Sequence, residues 1–116
     1  MQFKIIDVSY IEEICAESPE LISEMVDIFR EQVSEFVDEM KKLYEDKNYY
    51  DLGLLAHKAK SSIAIMGMHD LAEKLKELEL NAKEAIKPET YSDHIRSFVD
   101  QTDEALKELD VYLSTL

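Results

Sequence analysis

The sequence predicts an all-α chain, an antiparallel up-down-up-down four-helix bundle with a short N-terminal lead-in helix. Three observations lead there. Only two glycines and two prolines occur among 116 residues, too few for a chain built on hairpins and tight turns. Apolar residues recur at helical spacing through four stretches, each closed by a polar or proline-containing break. With 46% hydrophobic residues the chain can fill one core and is too short for two, so residues 1–116 are expected to form a single domain.

Each element has its own signal. Between Met1 and Ala16, the spacing of Val8, Ile11 and Ile14 predicts a short lead-in helix packed across one end of the bundle. Ser18-Pro19-Glu20 then combines an N-cap, a proline at the first helical position and an acid in the first turn. The long helix that follows is expected to bury Leu21, Ile22, Met25, Ile28, Phe29, Val33, Phe36, Val37, Met40 and Leu43. Glu45-Asp46-Lys47-Asn48 reads as a joint, with Asp46 or Asn48 capping the next helix. There Leu52, Leu55, Ala56, Ala59, Ile63 and Met66 form one stripe, and Gly67 supplies the left-handed residue that commonly ends a helix. A third helix, from about His69 to Ile86, turns Leu71, Leu75, Leu78, Ala82 and Ala85 inward and keeps Glu73, Lys74, Lys76, Glu77 and Lys83 in water. Lys87-Pro88 breaks the chain, and Tyr91, Ile95, Phe98, Thr102, Leu106, Leu109, Leu113 and Leu116 mark the last stripe. Short joints favour the up-down-up-down arrangement.

Composition removes several classes of function. A net charge of −13 repels nucleic-acid phosphates and anionic lipid headgroups, which leaves a protein as the expected partner and a monomer as the expected state. Cys15 is the only cysteine, so no internal disulfide forms, and it is expected as a small buried hydrophobe. The absence of an apolar run suited to a signal peptide or a membrane span places the expectation in the cytoplasm. A carboxylate-bridged metal pair in a bundle needs Glu-x-x-His, and the residues three before His57, His69 and His94 are Leu54, Met66 and Tyr91. With glycines only at 53 and 67, no phosphate-cradling loop is available, and no route to ATP is evident.

One histidine stands where a core has no use for it. On a helical wheel His57 lies roughly 140° from the centre of its helix's apolar stripe, among Leu54, Ser61, Ala64 and Ile65 on the outer face. Lys58 adjoins it, and Lys60 shares the neighbouring turn, so both are within reach of an anion held on the ring. Taken alone, a solvent-facing histidine beside lysines is ordinary surface. The longer string changes that: His57, Lys60, Ser61, Ser62, Gly67, Met68, Leu71, Leu75, Leu78 and Glu79 fall in a fixed order over about thirty residues.

That string resembles the signature of histidine-containing phosphotransfer (HPt) domains, in which H-x-x-K-G-S/A-S/A-x-x-x-G runs on into leucines and L-E or L-Q. Ser61 stands where the family usually has glycine. The resemblance implies a phosphoryl carrier in a two-component phosphorelay, not an enzyme with its own ATP site. His57 would exchange a phosphoryl group with aspartates of a receiver domain or with a hybrid histidine kinase. Lys60, Lys58, Ser61 and Ser62 would stabilise the phosphoryl oxygens. By the same resemblance, Glu79 would hold the ring's other nitrogen. Leu54, Ala64 and Ile65, apolar on a face that the wheel leaves in water, are expected to form a docking surface together with Gly67 and Met68. The carrier would need no cofactor of its own, Mg²⁺ coming with the receiver. The competing reading, from the residues alone, is a non-catalytic helical protein-interaction module in which His57 is incidental.

Overall fold

The computed structural model describes residues 3–116, which form five α-helices and no strand: α1 Val8–Ile14, α2 Pro19–Glu45, α3 Tyr49–Ile65, α4 His69–Lys83 and α5 Tyr91–Ser114. They assemble into a body 43 Å long and 20 Å across. Helix α2 packs on α3 and α5, and α4 packs on α3 and α5, with α3 and α4 in the most extensive contact. No helix among the described residues is long and apolar enough to cross a membrane.

Local chemistry sets the helix ends. The Ser18 hydroxyl accepts the Leu21 N–H at 3.3 Å and Pro19 opens α2, while the Asn48 side chain accepts the Asp51 N–H at 3.4 Å and opens α3. Gly67, at φ +74°, ends α3 in the left-handed region. A Cβ on it would meet the Asp7 Cβ at 2.4 Å, so the same glycine also admits the N-terminal segment. Helix α4 stops three residues before the expected end. Ala85 takes φ 53° and Ile86 donates its N–H back to the Asn81 carbonyl at 3.0 Å, which turns Ala85 and Ile86 out into solvent. A 3₁₀ turn at Pro88–Thr90 then leads into α5.

The core differs from the expected stripes in detail. Ile22, Val26, Phe29, Val33, Phe36 and Met40 bury the inner face of α2, but Leu21 and Ile28 are 50% and 57% exposed. Both sit roughly 80 to 100° around the helix from Phe29, on an edge that neither neighbour covers. Leu116, placed in the last stripe by spacing, is also exposed, because α5 ends at Ser114. Cys15 is buried, as a small hydrophobe should be.

The lead-in expected from Met1 to Ala16 becomes helical only at Val8–Ile14, and Met1 and Gln2 lie outside the described residues. Ahead of it the chain bends at Lys4 and Ile5 and is fastened to α5. The Glu108 carboxylate accepts the backbone N–H groups of Lys4, Ile5 and Ile6 at 3.1, 3.0 and 3.2 Å. Asp7 donates its N–H to the Met66 carbonyl at 3.3 Å, and Ile6 and Ile11 enter the core. Nearby, Tyr112 donates its hydroxyl to Glu12 at 3.1 Å; burial, then this hydrogen bond and the charge of Glu12, push the phenol up to about 12.

Candidate functional site

Helices α3 and α4 form a hairpin whose joint is only residues 66–68. Near its middle, His57 and Lys60 on α3 face Glu79 and Lys83 on α4. The His57 side chain is 59% exposed, whereas that of Glu79 is only 8% exposed. Three donors meet on the carboxylate: His57 Nδ1 at 2.9 Å from Oε2, Lys83 Nζ at 2.9 Å from the same oxygen, and Lys60 Nζ at 3.2 Å from Oε1. Burial by itself raises the carboxyl, but the hydrogen bonds from Lys83, His57 and Lys60 outweigh it and hold the group at about 2. Glu79 is therefore an anion at neutral pH.

This fixes the tautomer of the ring. An ionised carboxylate only accepts hydrogen bonds, so Nδ1 must carry the proton it shares with Glu79. In a neutral ring, Nε2 then holds the free lone pair. Two ammonium groups against one carboxylate leave a surplus positive charge beside His57, in a chain whose net charge is −13. A ring tethered at one nitrogen and open at the other, with cations alongside, can attack an electrophile and hold the anion that results.

Two residues that sequence reasoning did not single out complete this arrangement. Lys83, read there as part of the solvated face, lies one turn beyond Glu79, an i, i+4 spacing that is visible in the sequence. Gly53 lies one turn before His57 and is fully enclosed by α4. A Cβ there would come within 2.9 Å of Lys83 Cγ and 3.0 Å of both the Lys83 nitrogen and the Glu79 carbonyl oxygen. Only a residue without a side chain lets the helices approach this closely. The far end of α4 is held by Tyr91, fully buried on α5, whose hydroxyl donates to the Asn81 carbonyl at 2.9 Å and also contacts that of Ile86.

The other expected site residues divide. Ser61 is exposed one turn from His57, and Lys58 is exposed without a hydrogen bond to the cluster, turned roughly 100° around α3 from the ring. Ser62 is half-buried and roughly 140° from His57 around the helix, facing away from the ring. Leu54 and Ile65 are 44% and 41% exposed, and Ala64 is half-buried, giving the outer face an apolar character. Gly67 and Met68 do not belong to it. Both are buried, Gly67 against Asp7 and Met68 in the core at the end of α3, so neither offers a docking surface. Among the described residues no group of three or more His, Cys, Asp or Glu side chains is placed to hold a metal ion. His69 opens α4 and packs edge-on against Tyr10, away from the cluster.

The class is thus a helical bundle that presents a carboxylate-tethered histidine to solvent. The family model of the Hpt domain matches residues 24–112, most of the chain, and the chain belongs to the Hpt domain family. Domains of this family take part in histidine phosphotransfer within phosphorelays, as phosphoryl carriers rather than catalysts. Neither a curated protein nor a solved structure matched the chain.

Proposed function

We propose that His57 is the phosphoryl acceptor of this domain and that Nε2 is the attacking atom. One observation carries the reading: Nδ1 is held at 2.9 Å by a buried carboxylate while the ring stays more than half exposed. In the forward step, the Nε2 lone pair attacks the phosphorus of a receiver's aspartyl phosphate, and the bond from phosphorus to the aspartate oxygen breaks. The carboxylate leaves with the electron pair. No proton is released, because Nδ1 keeps its hydrogen and its bond to Glu79; the phosphorylated ring is formally cationic, and the phosphoryl oxygens it now carries offset that charge.

Lys60 supplies a nearby positive charge for the phosphoryl oxygens, Lys58 can swing in from the adjacent exposed position, and the Ser61 hydroxyl lies on the same face. The receiver brings Mg²⁺ and docks on Leu54, Ala64 and Ile65, whose small or apolar side chains permit close approach. The reading takes α2 to α5 as an up-down-up-down bundle with α1 as its lead-in, in keeping with the short joints and the α2–α3, α3–α4, α4–α5 and α2–α5 pairings. It takes the domain to act as a monomer in the cytoplasm.

The test is incubation with a phosphorylated receiver domain, scored as acid-labile phosphate on the carrier. The wild type takes up label, whereas His57→Gln takes up none and melts within about 2 °C of it, since His57 lies outside the core. Stable labelling of the variant, or none of the wild type, would leave a helical interaction module as the better account.

A further inference from the structure

We infer that Lys83 is a positioning residue for His57: seated against Gly53, it joins Lys60 in neutralising Glu79, so the buried carboxylate orients an uncharged ring instead of drawing a second proton onto it. The consequence for phosphotransfer rests on His57 being the acceptor; the positioning itself does not.

His57 and Lys83 share one oxygen of the carboxylate. Glu79 Oε2 accepts from both His57 Nδ1 and Lys83 Nζ at 2.9 Å, while Oε1 takes Lys60. A desolvated carboxylate whose only partner is an imidazole favours the imidazolium ion pair. That form carries a proton on Nε2 and has no lone pair with which to attack phosphorus. Two ammonium groups on the carboxylate remove most of this pull, and Lys83 removes it from the very oxygen that faces the ring. The groups in contact with the carboxylate are His57 and Lys60 from α3 and Lys83 from α4; among the described residues no charged side chain of α2 or α5 pairs with Glu79 or His57. Gly53 is the second half of the device. Its missing Cβ leaves the space over which the Lys83 stem lies, and any side chain there would meet Lys83 Cγ at 2.9 Å.

The experiment follows the His57 ring proton resonances against pH in wild type, Lys83→Met, Lys83→Arg and, as a control for lost charge elsewhere, Lys107→Met on exposed α5 surface. Lys83→Met should move the ring's titration midpoint up by about half a pH unit or more, since a cation is removed from the same carboxylate oxygen. Lys83→Arg and Lys107→Met should leave it near wild type. Phosphoryl acceptance by Lys83→Met should fall about twofold or more at pH 6.5 and return to the wild-type rate at pH 8.5, well above the ordinary histidine range. Gly53→Ala, which displaces the lysine without deleting it, should shift the midpoint in the same direction. An unmoved midpoint in Lys83→Met overturns the inference, as does a rate loss that persists at pH 8.5, which marks a merely structural role. A shifted midpoint in a chain whose wild type never accepts phosphate overturns the acceptor assignment and leaves the positioning role standing.

Discussion

Glu79 and Glu108 each accept hydrogen bonds from three groups, yet the two carboxylates do opposite work. The partners of Glu79 are side chains from two helices, one of them the exposed His57 ring. Those of Glu108 are the successive backbone N–H groups of residues 4 to 6, which have no chemistry beyond hydrogen bonding. One carboxylate holds an exposed histidine ring and the other fastens a piece of chain. The donor set, more than the acceptor, decides whether a partly buried glutamate becomes part of a site or a clasp.

Three changes break or sharpen this contrast. Glu79→Leu removes the anion from beneath two lysines and the ring; it should destabilise the domain by about 2 to 4 kcal/mol in urea unfolding. It should also cut phosphoryl acceptance at least tenfold. Glu108→Ala should cost less, about 1 to 2 kcal/mol. Its signature is faster amide exchange at Ile5 and Ile6 with acceptance at the wild-type rate; slowed acceptance would mean that the clasp and the site are coupled. The last change separates charge from hydrogen bonding. Glu79→Gln keeps an acceptor for Nδ1 and should be less stable than wild type at pH 7 by at most about 3 kcal/mol, the equivalent of the carboxyl's fall from 4.5 to about 2. Because the folded state depresses the Glu79 carboxyl from its ordinary 4.5 to about 2, the stabilisation is complete above the ordinary value and is lost as pH falls through the folded one. The gap between wild type and Glu79→Gln should therefore close between about pH 4.5 and 2, and a constant gap would show that charge contributes nothing.

Much of this was legible in the residues. Ser18-Pro19, Asn48 and Gly67 announced helix ends because capping is chemistry between near neighbours in sequence. The link from His57 to Glu79 came from resemblance to a family signature, since two residues 22 positions apart carry no local sign of contact. Leu21 and Ile28 were misplaced for a related reason: a wheel finds the apolar side of a helix but not how far its neighbours wrap around it. Lys83 was read as solvated because lysines on an outer face usually are, and its role appears only once α3 stands beside α4. Gly67 is closed off by Asp7, a contact sixty residues away in sequence that periodicity cannot report, and Met68 is buried in the core beside it.

Gly53 also has a mechanical consequence. Two rods pressed together swing about a place where they touch closely, and the α3–α4 hairpin has such a place at Gly53, with backbone atoms of α4 about 3 Å from where a Cβ would stand. His57 is four residues along α3 from this fulcrum, a rise of about 6 Å. For a given rocking angle, displacement grows with distance from the pivot, so the ring travels less than the joint end of α3 near Ile65. A tilt of α3 about this contact therefore moves the His57 ring less than it moves the joint end of the helix.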